Sequence, residues 1–181
     1  PFSRVSGATR YTAPSGFVAG LFARTDNTRG VWKAPAGTEA LILGAVDTAV
    51  KITDADQDNL NPVGINCIRK FPGAGIVSWG ARTLATRSNP EYRYVPVRRF
   101  ARFLAQSIQR GTQWVVFEPN DEPLWSAVRF NLNAFMQRLF REGALQGAEA
   151  WLRAREPGGA SDLAGALVTA AKRLGPSAAG Q

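Results

Sequence analysis

Apolar residues return at helical spacing in two long stretches of this chain. From Tyr94 to Arg110, Val97, Phe100, Phe103, Leu104 and Ile108 recur every three or four positions, leaving Arg98, Arg99, Arg102 and Gln106 off the stripe. That period predicts an amphipathic helix. A second stripe runs from about Asp121 to Glu142 through Leu124, Trp125, Val128, Leu132, Phe135, Leu139 and Phe140, with Gly143 as its stop. Between the two lies Gln113-Trp114-Val115-Val116-Phe117-Glu118, β-branched and aromatic, bounded by Gly111 and Pro119. This reads as a buried strand. Gly111 is placed to end the first helix in a left-handed C′ conformation. Asn120 is placed to cap the second helix, Asp121 and Glu122 sit in its positive first turn, and Pro123 is tolerated there.

Upstream, Val63 to Arg69 and Ile76 to Trp79 read as two strands joined through Phe71-Pro72-Gly73-Ala74-Gly75. No GK[ST] follows this Gly-Ala-Gly, and a strand rather than a helix comes next, so it is not a phosphate-binding loop. Thr53 caps a short helix that Pro62 ends by Asn61. Asp54, Asp56 and Asp58 faintly imitate a calcium loop. The glycine at loop position six and the closing glutamate are lacking, which leaves a solvated helix start. Gly16 to Phe22 is a short helix or a strand, and residues 1–60 otherwise read as irregular. The expected class is α+β: a small mixed sheet covered on one face by two long helices, with an Ala-rich, weakly helical tail. The expected division is an N-terminal segment 1–60 packed on the core, a core domain 61–147 and a tail 148–181. Trp79, Trp114 and Trp125 are expected in the core.

Composition narrows the chemistry. The 181 residues include no histidine, which removes His-based acid–base catalysis, the usual nucleophilic triads and most zinc sites. A single cysteine, Cys67, lies in an apolar run and reads as a buried structural thiol. No apolar run approaches the ~20 residues of a membrane span, and the start PFSRVSGATR carries no secretory h-region. The chain begins without methionine, as a fragment of a longer protein would. The net charge of +8 is one-sided: residues 1–68 carry six Lys/Arg and six Asp/Glu, residues 69–181 sixteen and eight. A basic face implies an acidic partner.

Three stretches also carry a resemblance. The longest is GTQWVVFEPNDEPLW, from Gly111 to Trp125, which includes Trp114, Phe117, Glu118, Pro119, Asn120, Asp121, Glu122, Pro123 and Trp125. The second is Asn61 to Gly73 followed by Ile76 to Leu84, with Trp79, Gly80 and Arg82. The third is Ala13 to Gly20, with Arg24-Thr25-Asp26 and Arg29 to Ala36. Together they resemble the tail sheath proteins of contractile phages and related contractile injection systems, from about Ala13 to Gly147. The resemblance implies a structural subunit that polymerises into a helical sleeve around an inner tube and contracts to drive it through a membrane. It implies no catalysis, no cofactor, no metal and no small-molecule substrate. Its implied partners are like subunits, joined by strands added to a sheet that includes Gln113–Glu118, and an acidic inner tube protein. Its implied place is a virion tail or a cytoplasmic contractile particle. After Gly147 the Ala-rich segment departs from the β-rich ending such proteins have, which leaves a truncated, non-polymerising remnant as an alternative.

Two constellations remain. Glu118, Asp121 and Glu122 put three carboxylates within five residues, yet helix-dipole placement accounts for them without catalysis. Arg98, Arg99 and Arg102 on the first long helix, and Arg129, Arg138 and Arg141 on the second, form either a solvated face or the contact to tube or subunit. Which helix faces the tube stays open. A basic nucleic-acid-binding module is the alternative function, but the tryptophans lie in apolar runs rather than among exposed Arg and Lys, so nucleic acid is not the expected partner.

Overall fold

The computed structural model describes residues 2–5, 8–85 and 92–145. Its elements run β1 (Phe2–Val5), β2 (Ala8–Tyr11), α1 (Ser15–Arg29), β3 (Ala45–Asp47), α2 (Asp54–Leu60), β4 (Cys67–Phe71), β5 (Gly75–Trp79), α3 (Val95–Gly111) and α4 (Glu122–Arg141). Short 3₁₀ helices occupy Asn61–Val63 and Gln113–Phe117. Two compact units divide the chain, Pro1–Arg110 and Gly111–Gln181.

The first unit is built on β5. Glycine and proline punctuate the β4–β5 hairpin at Pro72-Gly73, and its strands pair antiparallel from Cys67↔Trp79 to Phe71↔Gly75. Along the other edge of β5 runs the irregular segment 37–42. The Gly37 N–H donates to the Ser78 carbonyl at 2.9 Å, Ser78 N–H to Ala40 at 3.0 Å and Ile42 N–H to Ile76 at 2.7 Å. With both edges paired, β5 is deeply buried: Val77 is fully enclosed, and Ile76, Ala40, Ile42 and Cys67 are buried with it. Burial pushes the Cys67 thiol pKa up, so it stays a neutral packing group. A second sheet orders β2-β1-β3, all antiparallel.

The capping box at α2 has both of its reciprocal bonds. Asp56 N–H donates to Thr53 Oγ1, and the Asp56 carboxylate accepts from the Thr53 N–H at 2.9 Å and hydroxyl at 2.7 Å. The aspartates therefore serve a helix start, as the sequence indicates. Buried Gln57 then donates from Nε2 to the Trp79 carbonyl at 2.9 Å, fastening α2 to the end of β5. The segment Gly16 to Phe22 lies within α1, which ends at Gly30 (φ 89), where the Trp32 ring leaves no room for a Cβ.

Several expectations change. The α+β class holds, but the described sheets are antiparallel rather than mixed. Residues 1–60, read as irregular, hold three strands and two helices. The first hairpin strand begins at Cys67 rather than Val63, because residues 61–63 close a 3₁₀ turn. Gln113–Phe117 is not a strand. Its backbone closes on itself, with Val115 N–H donating to Thr112 and Glu118 N–H to Val115, and Trp114 and Phe117 are exposed. β-propensity measures fit to a paired, half-buried surface, and no described strand lies alongside to supply one. Trp125 is exposed too, while Trp79 is half-buried against Phe71, ring centroids 4.6 Å apart. Gly111 stays inside α3 without a positive φ. α3 closes the first unit and α4 lies in the second. Gly143 does close α4, at φ 85. The expected tail, 148–181, lies outside the described residues.

Replacing Thr53 with alanine removes the cap and costs about 1 kcal/mol, read by chemical denaturation. The Asp56 pKa is held below its ordinary 3.8, chiefly by the Thr53 hydroxyl and then by the Thr53 N–H. A depressed folded pKa stabilises fully above the unfolded value and is lost as pH falls through the folded one. Amide protection of α2 therefore weakens below pH 3.8, and Asp56→Asn flattens that dependence.

Candidate functional site

The arginine stripe on α3 resolves into two kinds of residue. Arg99 turns inward. Its guanidinium grips the Asp26 carboxylate of α1 with two bonds, 2.8 and 2.5 Å, and lies 5.0 Å over the Phe22 ring. Both partners are about three-quarters covered, at 28% and 25% side-chain exposure. The bond from Asp26 raises the Arg99 pKa against the opposing pull of burial. Beside it Trp32 meets Phe100 edge-on at 6.0 Å. Arg99 is thus a tie between α1 and α3 and is withdrawn from any contact with a partner molecule.

The rest of the stripe faces outward. Arg98 stacks 4.2 Å over Tyr92, while Arg102 and Arg110 are exposed and have no ion partner among the described residues. Positions 98, 102 and 110 follow the four-residue rows that align on one helix face.

In the second unit, Arg129 bonds to the Glu122 carboxylate and to Ser126 Oγ. Arg138 approaches Glu142 at 3.6 Å and lies 5.9 Å from the Phe135 ring. Arg141 is exposed and has no ion partner among the described residues. The three clustered carboxylates have separate roles. Asp121, not Asn120, is the N-cap of α4, accepting from the Leu124 N–H at 3.0 Å. Asn120 instead accepts from the Trp125 indole N–H at 2.8 Å, Glu122 holds Arg129, and Glu118 stands in solvent. Pro123 occupies the first turn, where it costs no helix hydrogen bond.

Around Trp79, Gly80 and Arg82 the controlling residue is one the motif reading missed. Asn66 accepts from the Arg82 N–H at 2.8 Å and donates to the Arg82 carbonyl at 2.8 Å, reading one residue's backbone in both directions. Gly80 lets that side chain in, since a Cβ there would sit 2.8 Å from Asn66 Oδ1. The next residues pair with the approach to α3, Thr83 N–H to the Arg93 carbonyl at 2.8 Å and Val95 N–H to Ala81 at 2.9 Å. Only the asparagine's neighbourhood in sequence, four residues after a proline and before a strand, hinted at this role. Asp26 stood in the third matching stretch, but nothing in the sequence marked Arg99 as its partner.

This geometry is a scaffold of interlocked elements, and known proteins share it. The family model of the phage tail sheath protein central domain matches residues 4–84, and that of the phage tail sheath C-terminal domain matches residues 87–157. The chain belongs to the phage tail sheath family. The tail sheath protein of Vibrio phage KVP40 is 30% identical over 139 residues, 76% of this chain and 21% of that protein. Among solved structures, the helical sheath of the anti-feeding prophage in its contracted state aligns with TM-score 0.69 and 37% identity, over 78% of this chain and 39% of that one. The contracted sheath complex of the extracellular contractile injection system PVC aligns with TM-score 0.71 and 36% identity, over 79% and 40%. This sheath chain therefore spans well under half the length of those relatives. Its Arg99–Asp26 and Trp32–Phe100 contacts, with the 81–83 to 93–95 pairing, join residues on either side of the border between the two matched domains. Among its described residues no helix is long and apolar enough to cross a membrane.

Asp26→Asn breaks the paired charge and lowers stability by about 2 kcal/mol, the range for hydrogen bonds to charged groups, read by denaturant titration of the folded chain. Asn66→Ala orphans the Arg82 N–H and carbonyl and costs about 1–3 kcal/mol. Asn66→Asp fares no better, because its carboxylate restores the acceptor but not the donor.

Proposed function

We propose that this chain serves as a structural subunit of a contractile tail sheath, packing beside like subunits in a helical sleeve around an inner tube and contracting to drive that tube through a membrane. The observation that carries this reading is the alignment with contracted helical sheath structures over 78–79% of the chain. The work of such a subunit comes from two packings of one subunit set, so neither catalysis nor a cofactor has a part in it. The carboxylates near the signature segment are consistent with that: one caps a helix, one holds an arginine and one faces solvent.

The outward arginines, Arg102 and Arg141 first and Arg98, Arg129 and Arg138 through their remaining donors, supply contacts to acidic surfaces of the tube or of neighbouring subunits. Each exposed pair is worth about 0–1 kcal/mol, and repetition along a sleeve turns such contacts into a firm but releasable hold. Links made by strand addition fall to the sheet edges that do exist, such as β2, β3 and β4, since residues 113–117 offer none. The working particle is a phage tail or an injection device. The division into 1–60, 61–147 and 148–181 stands as the working map for truncations.

Negative-stain electron microscopy of the purified chain, alone and with an inner tube protein of a contractile tail, tests this. Sleeves or short helical tubes are the expected result. Inert monomers under all conditions would mark a remnant. Tight DNA binding with a steep salt slope would favour the nucleic-acid reading instead.

A further inference from the structure

The turn joining α3 to α4 shows apolar surface and negative charge side by side. Trp114 is 44% exposed, Val116 71%, Phe117 96% and Trp125 47%, all within twelve residues. Glu118 stands in solvent among them; in the next turn Asp121 caps α4 and Glu122 is paired with Arg129. Exposed aromatics grouped in this way mark surfaces that bind other molecules. Carboxylates beside them select a basic partner and repel an acidic one. This excludes an acidic tube as the occupant.

The chain itself carries a surface of the complementary kind. Arg102 and Arg110 on α3 lack ion partners among the described residues, and Arg98 is held only by the face of Tyr92. These positions span about 18 Å of helix, and guanidinium groups bind both carboxylates and the faces of tryptophan and phenylalanine. We infer that the aromatic and acidic turn Trp114–Glu122 of one copy docks on the Arg98–Arg102–Arg110 face of a second copy. The inference rests on the sheath reading and says which surfaces meet. The two surfaces differ, so the contact is head-to-tail. Contacts of that kind grow open helical assemblies unless the rotation happens to close. Aromatic anchors ringed by charge also have the make-up of interface centres, where Trp and Arg are enriched.

Sedimentation velocity of the full chain, at low and at physiological salt, decides it. Wild type self-associates more strongly at low salt. Phe117→Ser and Arg102→Glu each weaken association by about thirtyfold, the loss expected of an interface anchor. Circular dichroism melts stay unchanged, because both side chains are exposed. Phe130→Ser, which removes an equally exposed aromatic from α4, has no such effect. Glu118→Arg combined with Arg102→Glu restores association that either change alone removes. Assemblies that persist in Phe117→Ser and Arg102→Glu, or that Phe130→Ser weakens equally, overturn the inference and leave the sheath reading standing. Wild type that stays monomeric at every concentration overturns both.

Discussion

Strand β5 is the constraint on which the first unit depends. It takes hydrogen bonds from β4 on one side and from the segment 37–42 on the other, and its residues Ile76, Val77 and Ser78 are all buried. A strand paired on both edges cannot slip by one residue without turning its buried side chains toward solvent. The rest of the unit is fastened to the ends of that strand. Gln57 ties α2 to the Trp79 carbonyl, Asn66 holds Arg82 just beyond, and residues 81–83 pair with 93–95 to launch α3. The bidentate Arg99–Asp26 pair then fixes α3 against α1. Each link positions the next, so the outward face of α3 has a definite direction because β5 has a definite register.

The second unit is held differently. Among its described residues only Leu139 is deeply buried, while the α4 stripe through Leu124, Val128, Leu132 and Phe135 is partly covered. Helices in proteins owe most of their stability to a packed face. A helix with a half-covered stripe belongs to something larger. The chain covers 39–40% of the length of the contracted sheath chains it aligns with. On the proposed sheath role, surface left open on one copy would be closed by protein outside it.

What could be read from sequence followed the physics of each signal. Helical periodicity located α3 and α4 to within a residue or two, and the Thr53 cap placed α2, because these signals are local. The hairpin was legible from its turn and from the apolar run through Ile76 and Val77. The segment at Gln113 misled because composition alone cannot supply a neighbouring strand, and an unpaired apolar run closes its own backbone bonds. β1 and β3 were missed for a related reason: strands of three or four residues are too short for an alternation to show. At the candidate surface, the expected burial of Trp114 and Phe117 was reversed. Asn66 and Asp26 act across 16 and 73 residues, distances at which periodicity says nothing.

Arg98, Arg99 and Arg102 show why a charge count is a poor guide to function here. In the sequence they are three equivalent cations off one apolar stripe. In the structure Arg99 is a partly covered tie, Arg98 lies against a tyrosine ring, and Arg102 is unpaired and open. The excess of positive charge available to a partner is therefore smaller than the sequence total and more localised. On the proposed role of a sheath subunit, which holds its neighbours and then lets them move, that localisation matters. Weak exposed contacts repeated along an assembly can all be exchanged in a concerted rearrangement, because each costs little to break. A tie such as Arg99–Asp26, largely covered and doubly hydrogen-bonded, costs more to break. Strong links inside the subunit and weak ones between subunits are what allow a sleeve to change its packing while its subunits keep their fold.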